Sequence, residues 1–367
     1  TRIMHKGNFA RLKNCMRRAE KGESLTIGFL GGSITQGCAA SEHEKCYAYR
    51  VYDWWKRTFP KAEISYVNGG IGGTDSHFGV SRVWQDFLMY QPDVAVLDFS
   101  VNDVADDGVR NETFFQETYE GLLRKILAGR TKPAVLILNN VDYSQGTNVQ
   151  RAHNEIGAWY GIPYVSMKDT LYGQMKAGRY TQEELTPDGL HPSDLGHELA
   201  AAEINALLLD IKSRMWEEEQ ECEMPQAMTA NAYEDARRIT IREASPFLSG
   251  FRIDTDEKTG HLDLFKNGWI GAKAGDRIVF EEEASCIAVQ YRKSVAGPAL
   301  RAQVTLDGDA SRTWILDGNF EEDWGDSAQI AVILHHGEKR KHRIEIEVLD
   351  DQLQGAVPFY VMSLILA

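Results

Sequence analysis

Between residues 25 and 165 the chain repeats one pattern: a short apolar run, a turn of glycine or polar residues, then a helical stretch. The runs are Leu25–Leu30, Glu63–Val67, Asp93–Phe99, Ala134–Leu138 and Ile162–Val165. The third is apolar almost throughout, as a strand buried on both faces must be, and that is the condition of a parallel sheet. Helical spacing and breakers place helices over about 47–58, up to about Tyr90, 112–128 and 148–160. Another precedes the first strand at 8–21, with Phe9, Leu12, Met16 and Ala19 on one stripe, and a long one covers roughly 194–218. Strands alternating with helices predict an α/β domain around a mostly parallel, five-stranded sheet.

The pattern stops after the long helix. Residues 216–223 are mostly glutamate, and Met224-Pro225-Gln226 breaks any helix, so a linker is expected there. This divides the chain into domains 1–222 and 223–367. Beyond it, alternating segments follow one another: Arg277–Phe280, Cys286–Tyr291, Leu300–Leu306, Ile330–Leu334 and Arg343–Leu349. Asn267-Gly268, Asp307-Gly308, Asp317-Gly318 and His336-Gly337 supply turns. An antiparallel β-sandwich or jelly roll is expected.

The 367 residues suffice for two cores, and a formal charge of −14 argues against nucleic acid, which needs a basic face. Five cysteines, at 15, 38, 46, 222 and 286, fit neither a disulfide framework nor a metal motif. They are read as mostly free thiols in a reducing, cytoplasmic setting. No apolar run is long enough for a membrane span, and no signal peptide is visible.

The first strand ends in Gly31-Gly32-Ser33, which puts a serine at the carboxyl end of a strand, where open α/β sheets bind ligands. Asp188-Gly189-Leu190-His191-Pro192 offers a base and an orienting carboxylate on one loop. Acyl transfer needs a nucleophile, a base, a carboxylate to hold the base's tautomer, and donors for the oxyanion. Ser33, His191 and Asp188 can fill the first three roles. The Ser33 amide, an amide within Gly69–Gly73 and the Asn102 side chain can supply the donors. All would converge at one edge of the sheet.

These segments resemble the four ordered blocks of the SGNH or GDSL hydrolases. Gly-Gly-Ser-Ile-Thr carries Ser33, Asn68–Asp75 carries the second block, Ser100-Val101-Asn102-Asp103 the third, and Asp188–Pro192 the fourth. The resemblance spans roughly residues 24–215. It implies a flavodoxin-like three-layer fold, a Ser33/Asp188/His191 triad, and an oxyanion hole of Ser33, Gly73 and Asn102. Two positions depart from the family: the aspartate usual before the nucleophile is Gly32, and the glycine opening the third block is Ser100. With the sandwich added, the chain is similar to carbohydrate esterases that carry a carbohydrate-binding-module-like domain, and to the carbohydrate esterase family 17 enzymes that deacetylate mannan oligosaccharides. That resemblance implies an acetylated oligosaccharide substrate and no cofactor. A lipid esterase or lysophospholipase, and a catalytically silent carbohydrate-binding protein, are the competing readings.

His43-Glu44 and His197-Glu198 each begin a zincin motif, but Tyr47 and Ala201 occupy the second histidine position, and Asp254-x-Asp256 lacks the rest of a calcium loop. No metal site is expected. Trp324 stands among Glu321, Glu322, Asp323 and Asp326, and an indole in such company is a candidate sugar platform. The oligomeric state is left open.

Overall fold

The computed structural model describes residues 7–351 and 354–367, so the first six residues of the expected amino-terminal domain lie outside it. The chain divides into two compact units, Thr1–Glu234 and Asp235–Ala367.

In the first unit the five apolar runs form β1 (Leu25–Gly31), β2 (Ile64–Asn68), β3 (Val94–Asp98), β4 (Ala134–Asn139) and β5 (Tyr164–Ser166). They make one parallel sheet in the order β2-β1-β3-β4-β5. Among the described residues nine α-helices accompany them: α1 (Ala10–Glu20), α2 (Ser33–Gln36), α3 (Tyr47–Thr58), α4 (Ser76–Asp86), α5 (Glu112–Leu127), α6 (Gln150–Trp159), α7 (Gly173–Lys176), α8 (Gln182–Leu185) and α9 (Asp194–Ser213). Successive side chains of a strand point to opposite faces. Ile27, Phe29, Val94, Val96, Leu136 and Leu138 accordingly share one core with α1, α3 and α9. On the other face, Gly157 of α6 lets the helix close on Ile137, where a Cβ would come within 2.5 Å of Cδ1. The strand order reverses between β1 and β3, the switch point at which such sheets bind ligands. Ser33 and Asn102 follow those two strands.

The expected linker is a strap. Residues 217–234 have no regular structure but run over the first unit. Glu219 accepts from the Phe9 amide at 2.9 Å, Arg11 pairs with Glu221 at 2.7 Å, and the Trp159 indole donates to the Gln226 carbonyl at 2.8 Å. Arg124 pairs with Glu234 at 2.9 Å, and Tyr233 is buried against His77 and Phe114. The division therefore falls between Glu234 and Asp235, twelve residues beyond the expected boundary at 222/223. Partners from α1 and α5, remote in sequence, neutralise a glutamate-rich run that by itself reads as solvated.

Glu120 is the strap's buried anchor, accepting from the Tyr160 hydroxyl, from Thr229 Oγ1, and from the Met228 and Thr229 amides at 2.5 and 2.8 Å. Glu120→Gln turns one acceptor into a donor facing these donors, at a cost of about 1–3 kcal/mol. Calorimetry should show the melting temperature falling by several degrees. A melt identical to wild type would remove Glu120 as an anchor.

The second unit is a β-sandwich. Its strands are β6 (Arg237–Ile239), β7 (Phe247–Ser249), β8 (Arg252–Ile253), β9 (Trp269–Gly271), β10 (Arg277–Ala284), β11 (Ile287–Lys293), β12 (Arg301–Leu306), β13 (Thr313–Asp317), β14 (Ser327–Leu334), β15 (Arg340–Val348) and β16 (Phe359–Leu366). One antiparallel sheet runs β13-β12-β15-β10-β7; the other runs β14-β11-β16-β9-β8, with β6 also paired to β16. Ile278, Phe280, Ile344 and Ile346 from the first sheet meet Trp269, Val289, Val361 and Leu364 from the second. β16 is central, and the sequence reading had no strand there. All eight of its residues are buried, so the alternation that marked its neighbours is missing.

Candidate active site

β1 ends at Gly31, and Ser33 opens the single-turn α2, closed by Gly37 at φ 102°. A Cβ at Gly32 would lie 2.3 Å from Asn102 Oδ1, so the Asn102 side chain occupies the space a larger residue would need. Glycine at this position leaves that space to Asn102 and sets its side chain beside the serine.

His191 reaches the serine from the loop between α8 and α9. Ser193 caps α9, accepting from the Gly196 amide at 3.1 Å, and its hydroxyl donates to the Glu184 carbonyl at 2.6 Å. Gly189 turns at φ 88°, and its carbonyl accepts from the Ser144 amide at 3.1 Å. Asp188 Oδ1 accepts from the Leu190 and His191 amides at 2.9 and 2.7 Å. Its Oδ2 lies 2.6 Å from His191 Nδ1, and His191 Nε2 lies 2.8 Å from Ser33 Oγ. Burial acts to raise the Asp188 pKa, but the hydrogen bonds from the His191 ring and the two amides outweigh it and bring it down to about 2. An ionised carboxylate only accepts, so the network assigns the proton to Nδ1 and leaves Nε2 to accept from the serine hydroxyl. The structure thus joins Ser33, His191 and Asp188 in one hydrogen-bonded line.

The glycine loop after β2 lies against α2, where a Cβ at Gly72 would be 3.5 Å from Ser33 Cβ. The Gly72 amide donates to Gln36 Oε1 at 2.7 Å, and the chain then turns through Gly73 at φ 68°. Among the described residues, none accepts from the amides of Ser33 and Gly73 or from Asn102 Nδ2. Three donors, on Ser33 and on the segments packed against its turn, therefore have no protein acceptor among the described residues. Within the glycine loop Gln36 engages the Gly72 amide and leaves that of Gly73.

Buried and half-buried polar residues hold these loops, and sequence reasoning missed them. Asn68 Nδ2 donates to the Thr35 carbonyl at 2.7 Å while its Oδ1 accepts from the Gly70 amide at 2.8 Å. Asp98, whose pKa burial pushes up, accepts from the Ser100 amide and hydroxyl at 3.0 and 2.7 Å, which gives a role to the serine that replaces the usual glycine. Asp103 is likewise raised by burial; it accepts from the Ser76 amide at 2.8 Å and pairs with His153 Nε2 at 2.9 Å. The His153 ring stacks on Tyr119. Each of these side chains reads in sequence as an ordinary loop or helix polar residue.

Trp324 belongs to the other unit. It sits on the second unit between β13 and β14, 55% exposed and edge-on to Phe320, with its indole donating to Glu322. His197 is a buried structural histidine: Nδ1 accepts from the Tyr47 amide at 3.2 Å and Nε2 donates to the Cys38 carbonyl at 3.1 Å. Burial lowers its pKa to about 4. Asp254 accepts from the Tyr360 hydroxyl at 2.7 Å, and Asp256 pairs with Lys266 at 2.8 Å. All five cysteines are free, and among the described residues no helix is long and apolar enough to cross a membrane.

The model of the GDSL-like Lipase/Acylhydrolase family matches residues 29–199. Two crystal structures of a two-domain esterase (CEX) active on acetylated mannans resemble the whole chain. Each is 45% identical in sequence over 98% of this chain and 95% of that one. The TM-score is 0.93 for the form co-crystallised with mannopentaose and 0.94 for the other. No curated protein matches.

Proposed function

The chain belongs to the GDSL-like lipase/acylhydrolase family, and from that premise we propose that it removes O-acetyl groups from acetylated mannan oligosaccharides through an acyl-enzyme on Ser33. It is a carboxylic ester hydrolase. The observation that carries the mechanism is the unbroken line from Asp188 through His191 to Ser33, ending beside three free donors. Ser33 Oγ attacks the acetyl carbonyl as His191 Nε2 takes its proton. The developing oxyanion faces the Ser33 and Gly73 amides and Asn102 Nδ2. Collapse breaks the ester bond, and His191 returns the proton to the departing sugar hydroxyl. Water, deprotonated by His191, then releases acetate and restores the serine.

The substrate class follows from similarity along nearly the whole chain to an esterase active on acetylated mannans. Acetate release from acetylated mannan and xylan oligosaccharides, beside a series of esters of rising acyl length, tests it. Preference for the mannan substrate is expected. Rates that climb with acyl length would favour the lipid-esterase reading instead.

An acetyl group offers little binding energy, since each buried CH₂ contributes about 0.8 kcal/mol. Selectivity must come from contacts to the sugar, and we infer that the sandwich supplies some of them in the manner of a carbohydrate-binding module. The exposed Trp324, with carboxylates around it, suits the ring faces and hydroxyls of a glycan. Truncation after Glu234, which keeps the strap, should spare hydrolysis of a small activated acetyl ester while lowering activity on acetylated oligosaccharides at least tenfold. Trp324→Ala should move the same ratio by less. If a truncated protein with a cooperative melt loses both activities equally, or neither, the sandwich has no part in substrate selection.

A further inference from the structure

We propose that Arg82 is a positioning residue for the oxyanion hole, acting by clamping the loop of Gly69–Gly73 to the turn that presents Ser33; this rests on the mechanism given above.

Arg82 is on α4 and is 1% exposed. A guanidinium cannot shed its charge, so at such a depth it must find acceptors. Nη1 donates to the Gly69 carbonyl at 2.7 Å and to Asp86 at 3.3 Å. Nη2 faces the Gly31 carbonyl at a longer 3.5 Å. Gly69 opens the loop that carries the Gly73 donor, and Gly31 is two residues before Ser33. One planar group therefore spans the two backbone segments whose amides must point at a single oxyanion. The Ile71 amide, donating to the same Gly31 carbonyl at 3.0 Å, closes the arrangement.

The other side-chain ties between these segments, from Asn68 and Gln36, are only part-buried, whereas both carbonyl contacts of Arg82 are fully buried. Its fork is also the feature that lysine cannot reproduce, because an ammonium is a point charge without a planar pair of donors. Arg82 touches neither Ser33 nor any atom of the reacting ester, so its effect passes through the loop. A misplacement of about 1 Å remote from the chemistry can cost about 10²-fold in rate.

The test is the steady-state kinetics of Arg82→Lys on a small activated acetyl ester, with a thermal melt of the same preparation and Ser33→Ala as reference. The expected result is a cooperative melt, KM within twofold of wild type and kcat lower by ten- to a hundredfold. Arg82→Ala should recover kcat in a saturable way on adding millimolar guanidinium, which a loss of fold would not allow. A folded Arg82→Lys protein with wild-type kcat overturns the proposal. Should that variant not melt cooperatively, Asp86→Asn replaces it, since it removes the carboxylate that aims the guanidinium; kcat three- to tenfold lower at unchanged KM supports the clamp, and wild-type kcat refutes it. Appreciable turnover by Ser33→Ala would instead sink the acyl-enzyme reading itself, so the two failures are distinguishable.

Discussion

Ser33→Ala should lower kcat on any ester substrate by roughly four to six orders of magnitude, and His191→Ala by a similar factor. In a serine hydrolase the nucleophile and its base act as a unit, and removing either costs about as much as removing both. The double variant should therefore be little worse than either single one. The arrangement here has that character, since the only partner of Ser33 Oγ among the described residues is His191 Nε2, at 2.8 Å. A residual rate above that of water is expected, because three oxyanion donors remain. Single-turnover kinetics with a chromogenic acetate separate the two states: the wild type should show an acyl-enzyme burst and the variants none. A well-folded Ser33→Ala protein within tenfold of wild-type turnover would remove the serine from the chemistry.

Asp188→Asn should cost roughly 10⁴ in kcat, the effect seen when the corresponding carboxylate of a serine protease is replaced. Asparagine keeps an acceptor for the Leu190 and His191 amides, so the loop should stay folded. Its NH₂ group, however, meets Nδ1 with a donor where the carboxylate accepted. The imidazole must then carry its proton on Nε2 and can no longer accept from Ser33. A loss of tenfold or less would demote Asp188 and leave Ser33 and His191 as the working pair. Acid stability offers a second reading of the same group. With the folded-state pKa near 2 and the unfolded one near 3.9, its ionisation favours the folded state above about pH 4, and that contribution fades as the pH falls towards 2. Any excess in melting temperature of wild type over Asp188→Asn should shrink across that interval. Asp188 is half-exposed, so the excess is small.

The strands of the first unit were legible because a parallel sheet is covered on both faces. The interior strands must then be apolar almost throughout, and the runs at 94–98 and 134–139 stand out against helices and turns. The residues of the hydrogen-bonded line Asp188–His191–Ser33 stood out for a different reason: Asp188 and His191 share one loop, and Ser33 follows a strand into two glycines. The sandwich strands that alternate were found, and β16, buried along its whole length, was not. The strap over α1 and α5 was invisible because its partners, such as Glu120 and Arg124, lie about a hundred residues away.

By itself the sequence determined the alternation of elements, the reactive groups and the order in which they are strung. It did so because period, turn chemistry and Asp-x-x-His spacing are local properties of the chain. Tertiary structure supplied the reason that the Gly73 amide is the one left over in the glycine loop, since Gln36 at the end of α2 takes the Gly72 donor. It also decided that Asn102 takes the space beside Gly32, and that Arg82 faces two loop carbonyls and not water. A buried charge and an exposed one look alike in sequence. They differ only in what the fold packs against them, and that is settled by residues far along the chain.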